Sequence, residues 1–93
     1  MKARIVSRVD NPDALAFAKT IKTTLEERGC TVEFDTDTAA ALGITGSFAG
    51  EGNTDVVIII GGDGTILRTL QGMPASIPIL GINWGEVGFP VIS

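Results

Sequence analysis

Apolar residues in this chain gather into short branched runs, set apart by segments of helical spacing and by several glycine-rich breaks. Ala3 to Val9 reads as a first strand. It stops at Asp10-Asn11-Pro12-Asp13, where the Asn-Pro pair ends extended pairing and a polar side chain can cap a helix. Leu15, Ala18, Ile21 and Leu25 then recur at helical steps, an apolar stripe on a helix that closes at Glu26-Glu27-Arg28-Gly29. Thr31 to Asp35 alternates as a second strand, and Asp37 to Leu42 forms a short helical turn. The glycine-rich stretch Gly43 to Gly52 is expected as a mobile loop.

Asp55-Val56-Val57-Ile58-Ile59-Ile60 is a continuous branched run bounded by polar and glycine positions, suited to a central parallel strand covered on both faces. After Gly61 to Thr65, helical spacing runs from Ile66 to Gln71 and stops at Gly72. Pro74 and Pro78 mark the next connection, and Ile79 to Ile82 is a fourth strand. Strands alternating with helices predict an α/β fold, an open parallel sheet with flanking helices of Rossmann-like type. The ligand crevice of such a sheet lies outside the carboxyl ends of its strands, where the glycine loops after Ile60 and Ile82 fall.

The 93 residues suffice for one domain, and 44% hydrophobic against 19% charged residues makes it globular. A net charge of −4, with the seven basic residues scattered, leaves no basic stripe for a polynucleotide, so nucleic acid is not an expected partner. Cys30 is the only cysteine and histidine is absent, so neither an internal disulfide nor a zinc tetrad is available; Cys30 reads as a small buried thiol beside the second strand. The opening apolar run breaks at Ser7 and Arg8, far short of a signal core or membrane span. The expected setting is cytoplasmic, without a membrane partner.

A strand running into Gly61-Gly62-Asp63-Gly64-Thr65 and then a helix is an anion-ready loop. Glycines let backbone N–H groups approach phosphate oxygens, and a helix N-terminus attracts negative charge. Asp63 has two readings. Either it caps a helix beginning near Thr65, or it binds Mg²⁺ or orients a hydroxyl beside the phosphates. The loop is not a P-loop, because no Lys-Ser or Lys-Thr pair follows it, and Leu67 stands where a dinucleotide fingerprint needs its third glycine.

Gly61-Gly62-Asp63-Gly64-Thr65 resembles the signature loop shared by NAD kinases, diacylglycerol kinases and 6-phosphofructokinases. Gly81-Ile82-Asn83-Trp84-Gly85-Glu86-Val87-Gly88-Phe89 is similar to the Gly-x-Asn-x-Gly-x-x-Gly-Phe segment of NAD kinases, with Asn83 20 positions after Asp63. The resemblance spans essentially the whole chain and implies the phosphofructokinase-like N-terminal domain of an NAD kinase over residues 1–93. Two departures stand out: Pro90 replaces an apolar residue, and the family's downstream Asn-Glu or Asn-Asp pair and β-rich C-terminal domain are absent. The chain is therefore expected to be a fragment, little active alone, of an enzyme that is a homo-oligomer.

The resemblance implies transfer of the ATP γ-phosphoryl, with Mg²⁺ on the phosphates, to the 2′-hydroxyl of the adenosine ribose of NAD, giving NADP. Asp63 is then the catalytic carboxylate, with no protein metal site assigned. Gly62, Gly64, Thr65 and Arg68 contact nucleotide, and Phe89 lines the adenine pocket. Arg68 is otherwise a surface arginine and Phe89 ordinary core. Asn83 is expected to tie down its own loop, and Trp84 to be an exposed anchor for the missing domain rather than a stacking platform. Two rivals remain: a lipid kinase of the diacylglycerol or sphingosine type, which shares the loop, and a non-catalytic nucleotide- or partner-binding domain.

Overall fold

The computed structural model describes residues 1–44, 54–71, 77–84 and 90–92, with backbone alone at 63, 70 and 90–92. The elements in chain order are β1 (Lys2–Ser7), α1 (Pro12–Glu27), β2 (Thr31–Phe34), α2 (Thr36–Ala41), β3 (Val56–Gly61), α3 (Asp63–Gln71), β4 (Ile79–Trp84) and β5 (Pro90–Ile92). They build one sheet in the order β2-β1-β3-β4-β5, parallel through β4, with β5 added antiparallel on Ile82 to Trp84. The expected parallel α/β sheet is therefore present. The fifth strand is an addition that the sequence pattern did not show.

Side chains alternate across a strand, so the register sorts them into two faces. One face carries Ile5, Val32, Phe34, Ile58, Ile60, Ile82 and Trp84 and is closed by α1, whose Ala14 and Ala18 are fully buried. These two alanines let the helix lie close to the sheet, with Phe17, Ile21 and Leu25 packed around them. The buried stripe of α1 thus centres on Ala14 and Ala18, and Leu15 sits at its half-buried margin. The opposite face buries a smaller cluster, Val6, Val57 and Ile59, against Ile66 of α3 and Ile77.

Caps fix the helix ends. The Asn11 side-chain oxygen accepts from the N–H groups of Asp13 at 2.9 Å and Ala14 at 3.1 Å, with Pro12 just inside the helix. Gly29 follows α1 at φ +89°, the left-handed conformation that ends helices. Asp35 caps α2 and also accepts from the Thr38 hydroxyl. That hydroxyl in turn accepts from Ser7 N–H at 2.9 Å, tying α2 to the end of β1. The expected loop at Gly43 to Gly52 lies mostly outside the described residues. Cys30 is half-buried beside the α1 core rather than fully buried.

Candidate functional site

The strand order places a topological switch point between β1 and β3. From the end of β1 the chain turns to α1 on one face, and from the end of β3 it turns to α3 on the other. Diverging connections open a crevice at the carboxyl edge. A cleft of about 390 Å³ lies there, lined by Arg8, Val9 and Asp10 from the first connection and Gly62, Thr65 and Arg68 from the second. A second hollow of about 260 Å³ on the α3 face shares Arg68 and is otherwise lined by Arg4, Val6, Ser7, Asp35, Asp37 and Thr69.

The glycines of the loop differ in what they allow. A Cβ on Gly61 would lie 2.8 Å from both Cβ and Oγ1 of Thr65, so α3 can start this tightly only because Gly61 has no side chain. Gly62 and Gly64 take no left-handed φ, and a Cβ on either would meet no described atom within 4 Å. The fold itself does not require glycine at these two positions. Their bareness leaves backbone open to whatever enters the cleft.

The helix begins earlier than the apolar spacing indicated, at Asp63 rather than near Ile66. Ile66 N–H donates to Gly62 O at 3.2 Å, so Gly62 is the residue just before the helix and Asp63 is its first helical residue. This corrects the reading of Asp63 as a cap for a helix starting near Thr65. The first N–H groups of a helix lack intrahelical acceptors, so this end of α3 presents donors and a partial positive charge to the cleft.

Of the residues singled out from sequence, Gly62, Thr65 and Arg68 line the cleft, and Asp63 and Gly64 belong to the same helix start. Phe89 lies outside the described residues. Trp84 corrects an expectation: β4 runs on through Asn83 and Trp84, and the indole is only 6% exposed. Its ring packs on Phe17, with centroids 5.4 Å apart, so it is core and not an exposed anchor. Asn83 is likewise a strand residue, in register with Gly61.

Arg8 and Asp10 were missed as site residues. Arg8 Nε and Nη2 donate to the two oxygens of Asp10 at 2.7 and 2.9 Å, and Nη1 donates to the Trp84 carbonyl at 2.9 Å. Those hydrogen bonds hold the Asp10 carboxyl below its ordinary value. The available signal was position, since Arg8 directly follows the strand that adjoins β3.

A parallel α/β domain with a glycine-lined crevice at its switch point, flanked by two arginines, belongs to the class that receives ligands at this edge. The particular family follows from comparison. Residues 4–91 match the ATP-NAD kinase N-terminal domain, and the chain belongs to that family. It is 53% identical over 89 residues to the NAD kinase of Methanoregula boonei, covering 96% of this chain and 33% of that protein. It is 45% identical to the NAD kinase of Methanoculleus marisnigri, over the same shares. The crystal structure of an NAD kinase from Archaeoglobus fulgidus in complex with ATP superposes with a TM-score of 0.62 at 30% identity, covering 95% of this chain and 30% of that one. The chain thus spans about a third of the length of its curated relatives.

Proposed function

We propose that this chain is the nucleotide-handling domain of an NAD kinase, the part that presents ATP phosphates and an acceptor hydroxyl to Asp63. The observation that carries this reading is the switch-point cleft, where α3 begins at Asp63 between two glycines that the fold itself does not need. The two relatives and the structural neighbour named above are NAD kinases, which favours a dissolved nucleotide over a lipid as the acceptor. Among the described residues no helix is long and apolar enough to cross a membrane. A cytoplasmic setting, where ATP and NAD are found, suits the reading, and the remaining two-thirds of the enzyme would complete the acceptor pocket and carry any oligomer contact.

Phosphoryl transfer asks the protein mainly for positioning and charge stabilisation. The start of α3 and Arg68 would hold the phosphates, and Asp63 would orient the ribose 2′-hydroxyl. As the bond from γ-phosphorus to the 2′-oxygen forms and the bond to ADP breaks, the hydroxyl proton passes late to the Asp63 carboxylate. Its main contribution would be orientation rather than early proton abstraction. Among the described residues no group of three or more His, Cys, Asp or Glu converges as a metal site. Magnesium would arrive on the nucleotide phosphates held at the start of α3 and Arg68, and would supply charge neutralisation there.

The test is a chimera in which this chain replaces the matching third of the Methanoregula boonei NAD kinase, assayed for NADP from NAD and MgATP. Turnover is expected in the chimera and little or none from the isolated chain. Asp63→Asn in the chimera should lower kcat by about 10²–10⁴-fold. A folded chimera that leaves NAD untouched, or an Asp63→Asn form that keeps its rate, overturns the proposal.

A further inference from the structure

We infer that Arg8 is a phosphate-binding residue of the cleft, and that the Asp10 carboxylate held against it occupies the place a phosphate takes. The inference rests on the nucleotide reading above and adds a residue from the opposite wall of the same site. It starts from how tightly Arg8 is placed. Its backbone N–H donates to Ile60 O at 2.7 Å, which pins its Cα to the end of β3. Its Nη1 donates to Trp84 O at 2.9 Å, so the side chain reaches across the carboxyl edge from β1 to β4. The guanidinium is thereby fixed on the cleft wall facing Gly62, Thr65 and Arg68.

Its Nε and Nη2 engage both oxygens of Asp10 in a fork. That geometry matches a carboxylate or a phosphate equally well, and arginine is the residue suited to either. The two partners differ in exposure. The Arg8 side chain is 24% accessible and the Asp10 side chain 68%, so the carboxylate sits on the solvent side of the pair. Exposed ion pairs contribute little, and giving one up costs little. A triphosphate entering the cleft carries more charge than one carboxylate and meets Arg68 and the start of α3 at the same time. Asp10 lies two residues beyond Arg8, so it can swing aside without unfolding either connection. Until it is displaced, the carboxylate holds the guanidinium in place on the wall.

The experiment is calorimetric titration of this chain with inorganic tripolyphosphate and with MgATP at low ionic strength, alongside Arg8→Met and Asp10→Asn, each checked by thermal unfolding. Arg8→Met should weaken both ligands by about tenfold or more, the loss expected for a charge-assisted fork. Asp10→Asn should tighten them by about two- to fivefold, because a competing and repelling carboxylate is gone. Opposite signs are the signature. A pair that merely braces the loop would weaken binding in both variants and lower both unfolding midpoints, and that result overturns the assignment. So does Arg8→Met binding as the parent does. Binding of neither probe by the parent chain also overturns the assignment, while turnover of the chimera decides the nucleotide reading separately.

Discussion

Under α1 the sheet presents Ile5, Phe34, Ile58, Ile60, Ile82 and Trp84 to a helix that closes on it through Ala14 and Ala18. Under α3 it presents Val6, Val57 and Ile59, with Arg4 and Glu33 on the same face and two glycines, Gly61 and Gly81, where side chains would stand. The first face is filled by apolar side chains and leaves little for a ligand to reach. The second lets α3 approach over bare backbone, with its N-terminus set at the crevice. Stability is concentrated on one side of the sheet, and the proposed site lies on the other side and its edge.

The largest test of this contrast is Ile60→Ala, which removes a fully buried side chain from the α1 face. Denaturant unfolding should report a loss of about 2–5 kcal/mol. The matching change on the other face, Ile66→Ala, truncates a half-buried residue and should cost about 1 kcal/mol. Equal losses would erase the distinction.

The glycines sharpen it further. Gly61→Ala forces its new methyl into Thr65 and should cost about 1–3 kcal/mol in thermal unfolding. Gly64→Ala should instead be neutral or stabilise by up to about 1 kcal/mol, since alanine is the better helix former and has open space. The same variant should weaken MgATP binding, read by titration. Unchanged affinity would mean that no ligand approaches that backbone.

The smallest effect is a pH response at the edge. The Arg8 hydrogen bonds hold the Asp10 carboxyl below its ordinary 3.8, so their contribution is complete above that value and is lost as pH falls through the lowered folded one. A carbon-13 titration of the Asp10 carboxyl should show the depressed midpoint, and Arg8→Met should return it to near 3.8.

What the sequence disclosed follows the reach of each interaction. The branched run before Gly61 announced β3, because burial on both faces leaves a local signature, and Asn11, Pro12 and Gly29 announced the ends of α1 for equally local reasons. Trp84 was misread because its neighbour Gly85 suggests a loop; the alternation Leu80, Ile82, Trp84 was the better guide to β4. The strand β5 left no usable pattern, being three residues that begin with proline and pair antiparallel. Glycine's poor helix propensity hid the true start of α3 at Asp63. The position of Arg8 at the end of β1 was legible, but its bond to the Trp84 carbonyl, 76 residues away, was not.

The pairing of β1 with β3 joins positions about 50 residues apart, as in the bond from Lys2 to Asp55 across 53 residues. Neither wall of the cleft exists in the right place until that long-range closure has happened, because Arg8 ends one strand and Gly62 follows the other. A nucleotide held in the cleft as proposed would recognise only chains whose central pairing is complete. At a hundred times its dissociation constant it would deepen the folded basin by about 2.7 kcal/mol without altering any contact of the core. Cellular nucleotide would then act on this domain as a folding chaperone of the simplest thermodynamic kind, rewarding finished molecules and ignoring the rest.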